Sequence, residues 1–595
     1  MKKSFKQLLS FMLIFILSLS LLSACGDNAG TNEGSSESSS NKEANDSREQ
    51  NKSPYDEFIT VDVFSSQANY QGIQSGWFGE IVKEKFNMEL NIIAPNVAGG
   101  GDTLFQTRSA AGNLGDIVMI GAENGRLADT VRAELMLDLQ EYSDRMPHIM
   151  QYEAALDMIR TTIDSPPTSI FAIPSSVSNE PATTPSEGLD LTFGPYLRWD
   201  YYTEIGSPKM STLEDLLPVL KQMQDTYPTS DSGSKTYALS LFGDWDGNMM
   251  TLAKQPTCFY GYDELGFVLA KADGTDFQSI IESDSEYVRA LKFYYEANQM
   301  GILDPESTTQ NYDTLYNKYV DGAILFSPWP WLGQAAYNTT ANKEAGKGFM
   351  IAPIEDLNIF SYGATPSGAK YVVGVGSKAQ DPERMVDFLD WLYSPEGIMM
   401  STAQTAGTCG PEGLTWELVD NSPQLTAFGK EALLNGDATM PQEWGGGSWK
   451  DGISQLNFTT VLPIDTVEGY DFPYDYTQWE SVIELNSTPL DVSWQEEMGA
   501  LSTIEYLEKD DQYVVAPGTD YIAPAEPSEI STLRAQCRSI IVENSWKMIY
   551  ANDDADFDAI LEDMQNTVNE IGYNTVLEFD MEVAKEQEAA RAEAR

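Results

Sequence analysis

Short β-branched runs alternate with segments of helical apolar spacing in the first part of the chain. Residues 59–64, 88–94 and 116–120 predict strands, whereas residues 77–86 and 103–111 predict helices. Strands that alternate with helices in this way usually pair in parallel, so the pattern predicts an α/β sheet.

Later segments keep the same alternation. They predict a strand at 370–375 and helices at 212–226, 287–300, 382–393, 528–550 and 554–571. No repeat of about 20 to 50 residues is visible in the sequence, which argues against solenoids and propellers.

The N-terminus has the three regions of a secretory signal: a lysine-rich start, an apolar run at 8–22, and small residues before Cys25. The apolar run is shorter than the roughly 20 residues of a membrane span. The segment Leu22-Ser23-Ala24-Cys25 resembles the bacterial lipobox, at which the signal is cleaved before the cysteine and the thiol is lipidated. We therefore expect a signal peptide at 1–24 and a stable lipid anchor at Cys25.

A polar stretch separates this cysteine from the rest of the chain. Residues 26–54 are rich in Ser, Asn, Glu, Asp and Lys and contain no aromatic residue, so they cannot bury enough surface to fold. We expect 25–54 to form a lipidated, disordered stalk. The roughly 540 residues that follow exceed what one core organises, which predicts two or more lobes.

The chain is strongly acidic. Lys2, Lys3 and Lys6 leave with the signal, so 36 Lys and Arg become 33 against 91 Asp and Glu, a net charge of −58. This charge disfavours nucleic acid and anionic lipid as partners. Solubility and repulsion at a crowded surface explain it better than recognition of cations.

Cysteine and histidine usage restricts the chemistry. Cys258, Cys409 and Cys537 remain after Cys25 is lipidated, and their spacing spells neither a disulfide framework nor a zinc site. We expect buried free thiols, although one disulfide stays open. His148 is the only histidine, which removes the usual general base of Ser and Cys hydrolases and the usual zinc ligand.

Five segments carry a resemblance to a known family: AGNLGDI at 111–117, IFAIP at 170–174, LRWDYYTEIG at 197–206, YEANQMGILDP at 295–305 and PERMVDFLDWLYSPEG at 382–397. In this order they resemble motifs of the extracellular solute-binding lipoproteins (family 1 type) of bacterial ABC sugar importers, especially the large oligosaccharide-binding members. The resemblance covers nearly the whole mature chain. It implies an α/β, two-lobed type II periplasmic-binding-protein fold with hinge-crossing strands and a helical C-terminal region.

The resemblance also implies domain boundaries and a function. Residues 55–173 with about 348–408 would form lobe 1, and about 174–347 with 409–595 would form lobe 2. The protein would capture an oligosaccharide in the inter-lobe cleft and deliver it to separate ABC permease subunits. We expect a monomer, not an enzyme, that is anchored on the extracellular face of the membrane, at a Gram-positive type of surface.

One segment departs from the family pattern. Many relatives carry a calcium-loop-like DPNGNGKKDE, but residues 227–237 read YPTSDSGSKTY and keep only the carboxylate of Asp231. Ca²⁺ takes six to eight oxygens, several of them acidic. Calcium is therefore doubtful here, and we expect no cofactor. The DWDGN sequence at 244–248 is a weaker calcium candidate that is better explained as a turn.

Polar residues follow two of the predicted strands. Ligands of open α/β sheets bind at the loops after the carboxyl ends of strands. This rule predicts ligand contacts for Ser66, Gln67 and Asn69 after the first strand and for Glu123 and Asn124 after the third. Helix capping or turn formation is an equal alternative for each residue.

Tryptophans in loops are the predicted aromatic platforms, because sugar rings present apolar C–H faces. Trp245 lies in a glycine-flanked turn, and Trp329 and Trp331 lie in SPWPW after the strand-like run 322–326. A proline-interleaved pair cannot form a helix face or a central strand, so we predict ligand stacking for at least one of these three. Trp444 and Trp449 flank the glycine run 445–447, where a tryptophan would close over a ligand or pack between the lobes.

Two other functions stay open. A peptide-binding lipoprotein of an ABC importer would grip its ligand through backbone hydrogen bonds, which the Trp-rich loops do not favour. A lipid-anchored glycoside hydrolase needs two carboxylates and no histidine, but the sequence offers no framework that selects two of its 91 acidic residues.

Overall fold

A six-stranded mixed sheet organises the N-terminal part of the protein. The computed structural model describes residues 53–595 apart from 96, 98–100, 124, 403–406, 435–437, 486, 519–522 and 525. The strand order across this sheet is Gly72–Ile73, Met88–Ile93, Ile59–Ser65, Ile117–Gly121, Tyr371–Val375 and Ile173–Pro174. Parallel pairing joins the second, third and fourth of these strands, as the alternation of strands and helices predicted.

Both faces of this sheet are buried. Ile117 and Met119 pack into one apolar cluster, whereas Val118 and Ile120 pack into another. Successive side chains of a strand point to opposite faces, so this continuous apolar run needs cover on both sides. The helices on this part of the chain are Gly76–Phe86, Gly101–Ala110, Arg126–Arg132, Glu153–Thr162, Pro382–Leu392, Pro395–Ser401 and Glu480–Leu485. We call the larger cluster, which joins residues 61–177 to 373–482, the first core.

A second core joins residues 191–360 to 490–576. Its central sheet has Tyr196–Arg198 between Phe326–Ser327 and Phe349–Ile351, with both neighbours antiparallel. Small sheets are formed by Tyr262–Leu265, Val268–Lys271 and Phe277–Ser279, by Ile359–Tyr362 and Tyr513–Ala516, and, against the first core, by Trp416–Val419 and Ser422–Leu425. The helices here are Trp199–Glu204, Leu216–Thr226, Thr251–Cys258, Glu286–Gln299, Tyr312–Val320, Pro330–Tyr337, Thr340–Glu344, Pro489–Met498 and Thr503–Glu508.

The predicted boundary between the lobes differs from the packing in two places. Residues 349–360, which were expected in lobe 1, belong to the second core. Residues 409–482, which were expected in lobe 2, belong to the first core. Neither segment contains one of the family-like motifs from which the boundaries were predicted. No local sequence pattern indicates which core such a segment joins.

Paired segments connect the two cores. Val177 forms a parallel bridge with Val461, and Pro185 forms an antiparallel bridge with Gly363. Asp465 ties the first pair of segments together, because its carboxylate accepts the Ser178 hydroxyl and, at 2.7 Å, the backbone N–H of Asn179. Burial raises the pKa of this carboxyl group to about 6. The chain passes between the cores at residues 178–190, 361–372 and 483–489, so Pro185 and Gly363 lie in hinge-crossing segments. Val461 and Asp465 lie on the side of the first core and hold the start of the crossing segment 178–190.

Three long helices end the chain and confirm the helical C-terminal region: Ser528–Ile549, Asp554–Ile571 and Tyr573–Ala594. Arg534 donates two hydrogen bonds, of 2.8 and 2.6 Å, to the Asp580 carboxylate, which also accepts the Phe267 backbone N–H at 2.7 Å. Gly266 has φ +64°, and a Cβ atom there would lie 2.3 Å from Asp580 Oδ2. The close approach therefore requires glycine.

The three described cysteines, Cys258, Cys409 and Cys537, are buried free thiols. Within the described part of the chain, no helix combines the length and the apolar character needed to cross a membrane.

Candidate functional site

Trp329 and Trp331 form a stacked pair at the end of a strand. The strand Phe326–Ser327 ends at Pro328, and Pro330 then begins the helix Pro330–Tyr337. The two indole rings lie 4.6 Å apart with an interplanar angle of 23°. Trp329 is buried, and its Nε1–H donates to Gln255 Oε1 at 3.0 Å, whereas Trp331 keeps 39% of its surface exposed. The buried ring thus supports an exposed one.

Trp245 extends this pair into a larger aromatic surface. Its ring is 46% exposed, stacks on Tyr312 at 4.7 Å and lies 6.1 Å from Trp331. We call Trp245, Tyr312, Trp329 and Trp331 the aromatic platform. The structure therefore brings Trp245 to the pair Trp329 and Trp331, although 84 positions separate Trp245 from Trp329.

Two aspartates fix the turn that presents Trp245. Asp244 Oδ2 accepts the Tyr312 backbone N–H at 2.9 Å. Asp246 accepts the Thr251 backbone N–H at 2.9 Å and the Trp546 indole N–H at 2.8 Å. Burial raises the pKa of Asp246. Both carboxylates already serve backbone and indole donors, which agrees with a turn here.

The predicted polar residues lie at the carboxyl edge of the first sheet. Ser66 donates its backbone N–H to Met119 O at 3.0 Å, and Gln67 O accepts Asn457 Nδ2–H at 2.7 Å. The Asn69 side chain is exposed. We call Ser66, Gln67, Asn69 and Glu123 the polar edge.

Glu123 is paired with a lysine that the sequence analysis did not single out. Lys370 Nζ lies 2.8 Å from Glu123 Oε1, and both side chains are about half exposed. Asn124, the fifth predicted polar residue, lies outside the described residues.

Trp444 packs partly buried against the first core. Trp449, on the other side of the glycine run, is buried. Its ring stacks on Trp77 at 4.7 Å with an interplanar angle of 8°, and the Trp77 indole N–H donates to Trp449 O at 3.1 Å. Trp449 is therefore a core residue.

A cavity of about 720 Å³ lies where segments of the two cores meet. The helix that carries Trp331 contributes Pro330 and Gln334 to its wall. The other lining residues include Asp190, Lys343, Met350, Asp491, Trp494 and Thr503 from the side of the second core and Leu433, Tyr476, Thr477 and Ile483 from the side of the first. About half of the residues in its wall are polar or charged. A space of this size is typical of a small-molecule site.

Each charged side chain in the wall of this cavity has a hydrogen-bonding or ionic partner. Lys343 Nζ lies 3.0 Å from Asp491 Oδ2. The Thr503 hydroxyl donates to Asp190 Oδ1, and burial raises the pKa of that carboxyl group.

His148 has a structural environment. Its Nδ1 lies 2.7 Å from Asp390 Oδ2, and Asp390 Oδ1 accepts the backbone N–H groups of His148 and Ile149 at 2.9 and 3.0 Å. The one histidine therefore helps to fix the start of a short helical turn against the helix Pro382–Leu392.

The residues of the calcium-loop segment do not fit calcium. Asp231, its one carboxylate, is paired with Lys347 at 2.6 Å, and the Ser230 hydroxyl donates to Asp321 Oδ2 at 3.1 Å. Across the described residues, no group of three or more His, Cys, Asp or Glu side chains is placed to hold a metal ion.

Neither a protein-family model nor a curated protein matches the sequence.

Solved structures resemble the whole fold. The S. pneumoniae ABC-transporter substrate-binding protein FusA, in complex with kestose, is 15% identical with a TM-score of 0.55. A human-milk-oligosaccharide (HMO) binding, ABC-transporter-associated solute-binding protein from Bifidobacterium longum infantis is 15% identical with a TM-score of 0.57. The alginate-binding protein AlgQ2 is 14% identical with a TM-score of 0.54. Each match covers 89% of this chain and 99% of the other. The chain therefore has the two-lobed type II periplasmic-binding-protein fold.

Proposed function

We propose that this protein captures an oligosaccharide between its two lobes and delivers it intact to the permease subunits of an ABC importer. The aromatic platform is the observation that carries the proposal. Trp245 and Trp331 are large apolar rings that stay partly exposed while the rings beneath them are held in place. Such rings cover the C–H faces of sugars, and they are enriched where one side must stay accessible.

The polar edge would supply the hydrogen bonds that a sugar needs in addition to ring stacking. Hydroxyl and amide groups of Ser66, Gln67 and Asn69 would bond to the rims of sugar rings across the cleft. Solved structures of the same fold are named for binding kestose, human milk oligosaccharides and alginate, which supports a carbohydrate ligand. Trp444 would contribute by closing over the ligand from the side of the first core.

A ligand screen tests this function. The mature chain with Cys25→Ser is heated with a panel of oligosaccharides and short peptides, and the unfolding midpoint is recorded. A ligand at 100 times its Kd adds about 2.7 kcal/mol of stability. We expect stabilisation by an oligosaccharide that is recovered unshortened. Stabilisation by peptides alone would instead favour a peptide importer, and a shortened glycan would favour a hydrolase.

We also propose that Cys25 carries the lipid that holds the protein at the outer face of the cell membrane. Cys25 and most of the stalk lie outside the described residues. The proposal is supported by the sequence Leu22-Ser23-Ala24-Cys25, which matches the lipobox. A flexible stalk of about 30 residues spans on the order of 30 Å, enough to lift the binding lobes off the surface. Palmitate labelling that Cys25→Ser abolishes, with release of the protein into the medium, would test it.

Closure of the lobes would be the signal to the permease. Lobe 1 would contain the first core and lobe 2 the second, and the crossing segments would form the hinge of a monomer. A ligand that touches both lobes binds the closed state better and shifts the population toward it.

A further inference from the structure

The lysines at the proposed site are already neutralised. Lys370, beside the polar edge, is paired with Glu123 at 2.8 Å. Lys343, in the wall of the inter-core cavity, is paired with Asp491 at 3.0 Å, and Asp190 lies in the same wall. The cavity wall therefore carries more carboxylates than cations, and the pair at the polar edge has no net charge.

The segments that carry the three tryptophans of the aromatic platform, residues 236–253 and 319–342, include neither lysine nor arginine. Lys318, on the helix of Tyr312, is paired with Asp304 at 2.6 Å and with Glu306 at 2.7 Å. Carboxylates adjoin the exposed rings in the sequence, since Asp244 and Asp246 flank Trp245 and Asp313 follows Tyr312. The charged residues next to these rings in the sequence are therefore acidic.

We infer that the ligand is a neutral oligosaccharide, and that the site selects against glycans with carboxylate, sulfate or phosphate groups. This inference rests on the proposed function and names its ligand class. The hydroxyls of a neutral sugar can donate to the carboxylates, and such charge-assisted hydrogen bonds are strong. An anionic group would instead meet carboxylates and would find the lysines occupied.

The test uses matched pairs of glycans. Each neutral oligosaccharide is titrated by calorimetry beside its C6-oxidised, uronic acid counterpart of the same length and linkage, with the mature Cys25→Ser chain. We expect the acidic member to bind at least about tenfold more weakly, with a gap that shrinks as salt rises. An acidic member that binds as tightly as its neutral partner would overturn the inference but leave the proposed function standing. Failure of every glycan to bind would overturn the proposed function, and the inference with it.

A pair of charge variants tests whether the selection is local. Glu123→Gln frees Lys370 at the polar edge, so it should narrow the gap between neutral and acidic glycans several-fold. Glu543→Gln is the control, because it frees Lys547 from an exposed pair of 2.8 Å on the C-terminal helix Ser528–Ile549 and changes the net charge equally. An equal effect of both variants, or no effect of Glu123→Gln, would contradict the role of the Glu123–Lys370 pair.

Discussion

Trp331 depends on a buried neighbour for its position. Trp329 supports it by ring stacking at 4.6 Å and is itself fixed by the bond to Gln255 at 3.0 Å. An exposed indole that is held in this way loses little conformational freedom when a sugar stacks on it. Such preorganisation improves affinity because less entropy is lost on binding.

Replacement of Trp331 tests this role. Trp331→Ala removes a stacking surface of the kind that contributes about 1.5–3 kcal/mol when fully covered, so oligosaccharide affinity should fall about 10- to 100-fold. Trp331→Phe should retain part of the affinity. Tyr470→Ala is the control, because Tyr470 is 43% exposed but packs on Phe472 of the first core, whereas the platform packs on the second core. Calorimetric titration of the three variants gives the comparison, and equal losses in Trp331→Ala and Tyr470→Ala would contradict it.

Asp465, which binds the start of the crossing segment 178–190, has a perturbed pKa. Asp465 is nearly fully buried, and its pKa is raised from 3.8 to about 6 because burial disfavours the charged form. The folded state therefore binds the proton more tightly than the unfolded state. The stabilisation from this group is complete below about pH 4 and is lost as the pH rises through 6.

Asp465→Asn should remove this pH dependence. A shift of two units corresponds to about 3 kcal/mol, so the variant should gain stability relative to the wild type between pH 4 and 6 by an amount of that order. Asp471→Asn, at an exposed aspartate of the same region, controls for the lost charge. Urea unfolding at several pH values measures the difference, and the same pH slope in both variants would show that Asp465 is not responsible.

The requirement for glycine at position 266, where the chain contacts Asp580 of the C-terminal helices, can be tested by substitution. Gly266→Ala should lower the free energy of unfolding by about 1–2 kcal/mol, because alanine is strained in the left-handed backbone conformation. The added Cβ atom should also push Asp580 away from Arg534 and the Phe267 N–H. Loss of a buried ion pair costs about 3–5 kcal/mol. Gly301→Ala is the control, because Gly301 has a similar φ of +70° and a Cβ atom there would meet no atom within 4 Å. It should lose only about 1–2 kcal/mol through backbone strain. Equal losses in denaturant unfolding would refute the argument.

Sequence periodicity predicted the regular elements well where one face is apolar. The strands at 59–64, 88–94 and 116–120 are confirmed within about two residues. The predicted helix 212–226 is also confirmed, but its α-helical part starts at Leu216 because Thr212 and Asp215 form a capping box around a short 3₁₀ turn. The run 322–326 forms a regular strand only at Phe326–Ser327, with an isolated bridge at Ile324.

The last helix was not predicted for a physical reason. In Tyr573–Ala594 the buried positions include Asp580 and Arg591 as well as Val576 and Ala584. Because charged residues occupy part of the buried face, the apolar spacing that marks an amphipathic helix is interrupted. The ion pair with Arg534 offsets the cost of burying Asp580. No local sequence pattern reveals that pair.

Across the whole molecule, the sequence indicated individual candidate residues for the site but not the residues that they contact. Tyr312 stacks on Trp245 from 67 residues away, Lys370 pairs with Glu123 across 247 residues, and Asn457 binds Gln67 O across 390 residues. Loop tryptophans and polar residues after strands are visible in a sequence. Contacts over such separations depend on how distant segments pack within each core, which no local pattern records.

The fold predicts a change of shape on ligand binding. Two lobes joined by paired crossing segments can close by a hinge motion, and a ligand that touches both stabilises the closed form. Small-angle X-ray scattering should therefore show a smaller radius of gyration when an oligosaccharide is added. Trp331→Ala at the same subsaturating glycan concentration is the control, and it should remain in the open form. An unchanged scattering curve at saturation would contradict closure.

Capture of an intact oligosaccharide is tested by calorimetric titration of the mature Cys25→Ser chain with a neutral oligosaccharide, followed by mass analysis of the recovered glycan. We expect saturable one-to-one binding, a negative heat-capacity change as the aromatic platform is covered, and a glycan of unchanged mass. The absence of binding to any neutral oligosaccharide, or recovery of cleaved fragments, would contradict it.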